Sequence, residues 1–578
     1  LRAPLFLLLI ALFLIPSSAY AIDFNVTGYL RSRIVSYSNL DTQVPNPNVN
    51  QGGLGDNDRI GNVLFVQERF RIEPILKLND NITIQATIDV PDNIIAGTQG
   101  VKTLDFQSPI VGTIQLPGAG GAIGTSGGEA GENKILNVRR VFMDLLTPIG
   151  KFRIGRQGSM VGLGIFQNDG DGYNDDFGIS ADRIMYLASV ETQKAGIFNF
   201  GAAVDFTFTK QTDPRISGLA GEFPDGPEND LHQYAGFLFY EKDNFSIGTF
   251  SGLRYRAGTP GNTTTTARQI LVDGAGNPIL DSNDNLQLGA LQPAGHDGDT
   301  SLLFGDFYTE FKRGPYRFRG EYVVIGGKIS TGVALNAIPF NSLPSSAFGP
   351  IEMPAQSDML AQMAAVEFDG VYNFGEFHFQ GGYASGDSQP LSSKITQFGF
   401  QPDYQIALLL FHAPLGSSPR ITQPNGNGVG SRQLVGGVPI TGNNVNNAIY
   451  TTIGYWHHFD MTNLVPKSSD TKLGLKFITA WAPASNFDIN FAEITGFADL
   501  PRVESTGKWY GYELDANFQS RFWDHFLFDL TAGYLNPGSA YDVNVNVFNP
   551  VSSAQINVIP FDGSDWAWGI RTNLIAQF

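Results

Sequence analysis

Ionisable residues in this chain recur at alternate positions of apolar runs. Arg69, Arg71 and Glu73 interleave with Phe70 and Ile72, and Arg317, Arg319 and Glu321 with Phe318 and Gly320. Arg153 falls between Phe152 and Ile154, and Glu513 and Asp515 flank Leu514. Asp89, Asp205, Asp306 and Glu310 add acids in similar settings, and Lys472 and Lys476 add bases. On an extended strand, residues two apart share a face. A face with both signs can select and guide solutes, or it can pair with itself and stiffen a wall; both readings stand at this point.

Other motifs point to less chemistry. Asp169, Asp171, Gly172 and Asp175 sit in the densest acidic cluster and resemble part of a calcium loop, without the late bidentate Glu of an EF-hand. A structural Ca²⁺ there would rigidify an extracellular loop; the alternative is a solvated acidic loop. Gly124-Thr125-Ser126-Gly127-Gly128 fits G-x-S-x-G, but it lies in a glycine-rich tract with no strand before it or helix after it. His457 and His458 are adjacent, so on a strand they point to opposite faces and make a poor metal pair. No catalytic set emerges, no enzyme is expected, and no cofactor beyond that calcium.

The elements that would position these residues are strands. Ser564–Phe578 alternates Trp566, Trp568, Ile570, Leu574, Ala576 and Phe578 with Arg571, Asn573 and Gln577. An apolar strand of this length would aggregate at a sheet edge, and a closed barrel supplies its partner. Similar runs form hairpins with short turns, separated by long loops. The predicted count is 18, including a hairpin of Lys472–Trp481 with Phe487–Ile494, while Ala448–Asp460 reads as a further arm or as structure inside the longest loop. Short turns against long loops are the pattern of a transmembrane antiparallel β-barrel, with the turns periplasmic and the loops extracellular. A barrel of this size is expected to enclose an aqueous lumen unless loops plug it.

Composition agrees. The 578 residues hold 67 Gly, 12% aromatics, only 16% charged residues and no Cys, and mean hydropathy is −0.08. That is too polar for a helical membrane protein and suits apolar strands diluted by lumen-facing residues. A net charge of −18 argues against nucleic acid as a partner. Residues 1–21, with Arg2, the run Leu5–Ile15 and Ala19-Tyr20-Ala21, read as a signal peptide cleaved before Ile22, leaving 22–578 as one barrel.

Two segments resemble the alginate-export family of outer-membrane porins. One is Phe152-Arg153-Ile154-Gly155-Arg156-Gln157 with Gly162–Asp182 and Asp182-Arg183-Ile184. The other is Glu513-Leu514-Asp515 with Gly533-Tyr534-Leu535-Asn536-Pro537-Gly538. The resemblance implies a monomeric barrel of about 18 strands and puts Arg153, Arg156, Asp182 and Arg183 near the pore. The alginate exporter's own constriction is strongly cationic, whereas this set is mixed, so the resemblance supports fold and channel better than alginate.

The expectation is therefore an all-β outer-membrane porin for hydrophilic solutes, with anionic saccharides as one candidate cargo. Its pore-lining candidates are Arg69, Arg71, Arg153, Arg156, Asp182, Arg183, Arg317, Arg319, Glu321, Glu513 and Asp515. Its partners would be outer-membrane lipid, the barrel assembly machinery through the C-terminal strand, and the solute. The alternatives are an adhesion or scaffold barrel with an occluded lumen and, behind it, a hydrolase with a site at the rim.

Overall fold

The computed structural model describes residues 23–40, 63–90, 137–192, 195–206, 232–256, 300–330, 356–388, 394–413, 444–463, 467–484, 507–548 and 565–578, apart from single positions, with short pieces between them. The expected signal peptide and the Gly124–Gly128 tract lie outside the described residues.

A closed antiparallel wall of 18 strands dominates the structure. In chain order the wall strands are β1 Asp23–Ser38, β2 Val63–Asn79, β3 Ile82–Asp89, β4 Asn137–Thr147, β5 Gly150–Gly158, β6 Ser180–Thr192, β7 Gly196–Phe206, β8 His232–Lys242 and β9 Phe245–Arg256. They continue with β10 Thr300–Arg313, β11 Tyr316–Ser330, β12 Gln356–Tyr372, β13 Gly375–Ala384, β14 Ala448–His458, β15 Ser468–Trp481, β16 Trp509–Phe522, β17 Phe526–Pro537 and β18 Ala567–Gln577. Each strand pairs with the next, and β18 returns to β1 in a register running from Tyr29↔Gln577 to Ser38↔Trp568. Phe578 completes the seam: it and Gly28 exchange both backbone hydrogen bonds at 3.1 Å. A Cβ on Gly28 would sit 2.7 Å from the Phe578 ring, so this approach requires glycine.

The count agrees with the sequence reading, but the membership differs. Ala448–His458 is a wall strand, paired with β13 and β15. Phe487–Ile494 is not: Ile489–Asn490 belongs to a small four-stranded sheet outside the wall. The physical reason is length and pattern. A crossing needs about 9–11 alternating residues, which 448–458 supplies, whereas 487–494 is short and interrupted by Ala492 and Glu493.

Alternation fixes which side faces out. Leu30, Ile34, Leu303 and Ile453 are exposed on the outer surface, between inward neighbours that are buried, and Phe200 and Phe307 are exposed on the same side. Aromatic groups mark both rims. Tyr372 contacts both Tyr316 and Phe374 beside the short turns, and Tyr534 stacks on Trp566 at 5.9 Å at the other end. An edgeless wall, apolar outside and girdled by aromatics, is how strands cross a bilayer. The chain is a bacterial outer-membrane barrel.

An outward charge at mid-strand tests this orientation. Ile453 is 59% exposed at the centre of β14. Ile453→Arg is expected to destabilise the refolded barrel by about 2–4 kcal/mol, read from urea unfolding in lipid vesicles, whereas a lumen-facing position would be nearly neutral.

Candidate functional site: the lumen and its two inward segments

Inward positions of the wall carry clusters of like charge. Arg31 and Arg33 come from β1, Arg69 and Arg71 from β2 and Arg140 from β4, all at most 7% exposed. Buried acids stand on two other stretches of the wall, Asp306 of β10, Glu321 of β11 and Glu367 of β12 on the far side and Glu513 and Asp515 of β16 three strands from β1, all at most 8% exposed. Bare, such clusters would carry a large desolvation cost. Two stretches of chain turn inward and cover them: residues 159–179, between β5 and β6, and residues 396–413, between β13 and β14.

The first segment offers carboxylates to the basic arc. Asp176 accepts hydrogen bonds from Arg31 Nη2 at 2.9 Å, Arg33 Nη1 at 2.5 Å and Arg69 Nη2 at 3.1 Å. Asp171 accepts from Arg140 at 2.7 Å. Arg71 is held within the wall by a two-pronged pair with Asp89, at 2.8 and 3.0 Å. Burial pushes the Asp176 carboxyl up, but Arg33, Arg31 and Arg69 outweigh it and hold it well below the usual carboxylate range.

Both segments offer backbone N–H groups to the acidic clusters. Leu163 and Gly164 donate to Glu321 Oε2 at 2.5 and 3.0 Å. Leu408, Leu409 and Leu410 donate to Glu513 at 3.0, 2.8 and 2.7 Å, and Leu408 also to Asp515 at 3.1 Å. Tyr404 donates its hydroxyl to Glu367 at 2.8 Å.

The segments are also tied to each other. Asp403 accepts from the Asp176 and Phe177 N–H groups at 2.7 and 3.1 Å, and the Gln401 N–H donates to the Ile165 carbonyl at 2.8 Å. Ile165, Phe166, Phe400, Leu409 and Leu410 are wholly buried between them, in an apolar core inside the barrel. The lumen expected to be aqueous is therefore partitioned, and the barrier is loop rather than wall.

The sequence-predicted residues divide three ways. Arg69, Arg71, Arg183, Glu321, Glu513 and Asp515 face inward and are buried. Arg183 pairs with Asp205 at 2.5 and 2.8 Å, and Gln233 links Asp205 to Arg254. Arg153, Arg317 and Arg319 face inward nearer the short turns and keep 25%, 41% and 26% of their side chains exposed.

Arg156 and Asp182 are corrections. They pair with each other at 2.8–2.9 Å, half exposed, on the outer surface. Strand parity explains it, because Arg156 shares a face with exposed Ile154 and Asp182 with exposed Ile184, while Gln157 and Arg183 point in.

The expected calcium ligands serve other bonds. Asp169 accepts from the Asp171 N–H and Asp175 from the Gly172 N–H, while Asp171 faces guanidinium groups. Among the described residues, no group of three or more His, Cys, Asp or Glu is arranged to hold a metal. The acid that organises the segment is the next residue, Asp176. Sequence reasoning missed it, with Arg140 and Asp403, because their partners lie far away in the chain. Arg31 and Arg33 had a signal, since they alternate on a strand with Leu30 and Ile34.

Comparison with known proteins adds little. No protein-family model matches the sequence, and no curated protein does. Among solved structures, a BenF-like porin from Pseudomonas fluorescens Pf-5 is similar at 8% identity and TM-score 0.40, covering 96% of this chain and 98% of its own. OpdK of Pseudomonas aeruginosa with vanillate gives 7% and 0.38 over the same shares, and an anion-selective porin from Comamonas acidovorans 9% and 0.33 over 96% and 100%. These likenesses are faint, and the fold is established by the closed strand register of this chain.

The tie between the segments is sensitive to pH. Burial and the Asp176 charge push the Asp403 carboxyl up to about 6, and burial and Asp403 push Asp175 up to about 7. A raised carboxyl stabilises the packed state fully below its unfolded value, near 3.8, and that stabilisation is lost as pH rises through about 6 to 7. Asp176 acts the other way, but only below about 3.8. Amides of 159–179 and 396–413 should therefore be better protected from hydrogen exchange at pH 5 than at pH 8. Asp403→Asn should flatten that difference.

Proposed function

We propose that this barrel is an outer-membrane channel held closed by its two inward segments, and that it passes hydrophilic anions, saccharide acids among them. The observation that carries this reading is the make-up of the barrier. It consists of loop segments fixed by ion pairs and backbone hydrogen bonds, so it can move while the wall stays closed. Movement of residues 159–179 would take Asp171 and Asp176 off the basic arc. Arg31, Arg33, Arg69, Arg71 and Arg140 would then face the lumen, five cations against Asp89 and Glu73 as nearby wall acids. Such an arc favours anions. The resemblance to alginate-export porins is compatible with that cargo class.

A second reading is a surface scaffold with a permanently occluded lumen. The apolar core under the partition favours it, because Ile165, Phe166, Leu409 and Leu410 would have to be exposed on opening.

Single-channel recording of refolded protein in a planar bilayer under a salt gradient separates the two. The channel reading predicts low or intermittent current for the natural sequence. Asp176→Asn, which loosens a buried pair whose loss typically costs about 3–5 kcal/mol, should raise open probability several-fold, with a reversal potential on the anion side. Folded, heat-modifiable barrels that stay silent in both forms would overturn the channel and leave the scaffold. Cation selectivity would overturn the assignment of the basic arc.

A further inference from the structure

Below the partition, towards the short turns, the inner wall holds one aromatic residue in an unusual setting. Trp456 is an inward position of β14, two residues from its end, and is half-buried. Its indole lies over two glycines. A Cβ on Gly454 would come within 2.4 Å of Trp456 Cζ3, and one on Gly474, its register partner on β15, within 2.2 Å of Nε1. Any side chain at either place would lift the ring, so the two glycines let one indole face lie against the wall. The edges are fenced. His378 of β13 stands at 86° to the ring with centroids 4.6 Å apart, and Nε1–H donates to Asn517 Oδ1 of β16 at 3.4 Å. The residue stays half-buried, so part of the ring remains open on the lumen side.

Hydrogen-bonding groups border that face. Lys472 of β15 and Gln519 of β16 are register partners on the same inner surface, one inward step from Gly474 and Asn517. Lys472 reaches Glu376 only at 3.7 Å, and the side chain of Gln519 makes no hydrogen bond to the described residues. An inward step along a strand is about 7 Å, so Lys472 and Gln519 spring from the wall one step from the positions beneath and beside the indole.

We propose that the Trp456 face is the floor of a saccharide subsite in the periplasmic vestibule, sized for one pyranose ring. An indole face is electron-rich and the C–H face of a pyranose is weakly positive, so the two stack. The hydroxyls at the ring edge then meet Gln519 and Lys472. A planar aromatic solute would use the floor and leave those two groups idle. This subsite builds on the reading of the barrel as a solute pathway, but its occupancy does not require the partition to open.

The test is isothermal titration of the refolded full-length protein in detergent with maltohexaose and cellohexaose, heat-modifiable mobility confirming the fold of each variant. At least one hexamer should bind saturably. Trp456→Ala should weaken that binding about tenfold, Trp456→Phe should retain most of it, and Gln519→Ala, which leaves the floor intact, should weaken it by a smaller factor. If the indole only fills the gap over the glycines, Trp456→Ala lowers urea stability and leaves binding unchanged, which overturns the proposal. Absence of binding to both hexamers overturns it too, as does Trp456-dependent binding of p-nitrobenzoate alone. Binding without current in the bilayer would sink the channel and keep the subsite; current without binding would do the reverse.

Discussion

Charge inside the barrel has to be met by charge or by a hydrogen-bond donor, and this requirement shapes the interior. Five buried guanidinium groups clustered on three strands, and five buried carboxyl groups clustered on β10–β12 and β16, cannot face an empty lumen at low cost. The two inward segments supply the missing partners in complementary form. Side-chain carboxylates go to the basic arc, and backbone N–H groups go to the acidic clusters. Each segment needs the wall to satisfy its own polar backbone, and each arc needs a segment to bury its charges. The apolar filling between the segments adds to this but does not select the arrangement. Asp306 marks the limit of the scheme: both its carboxylate oxygens are buried without a hydrogen-bond partner among the described residues.

The wall and the barrier are built on different principles. The wall is held by regular register and by apolar surface turned to lipid, so most of its positions tolerate any residue of the right polarity. The barrier depends on particular partners. Asp176 alone gathers three arginines from two strands and, through its N–H, the carboxylate of Asp403 from the other segment. Disturbance at that residue therefore reaches both segments, whereas a change on the outer surface stays local.

Much of the wall was legible because its signal is local. Period-two alternation, short turns and the aromatic closing strand all sit within windows of ten to twenty residues. The interior was not, because residues 159–179 have the Gly, Asn and Asp content of a solvated loop, and the apolar run Ile406–Phe411 of 396–413 is too short to read as a crossing strand and lies inside the longest loop. Their burial comes from contacts over a hundred residues away, such as Asp176 with Arg31 and Leu409 with Glu513. One misplacement was avoidable. Arg153 and Arg156 are three residues apart on one strand, so parity alone sends them to opposite faces, and the family resemblance had put both at the pore. The exchange of Phe487–Ile494 for Ala448–His458 reflects a different difficulty, since short alternating stretches also occur in sheets outside the wall.

Each inward segment is anchored at both ends to strands of the wall. Residues 159–179 leave from β5 and return to β6, which are paired neighbours about 4.8 Å apart, and 396–413 lies between β13 and β14, also paired. The two attachment points sit at different places on the circumference, yet Asp403 and a shared apolar core join the segments. Each is therefore part of the wall's own chain rather than a separate cork, and neither can shift far without breaking its contacts to the other.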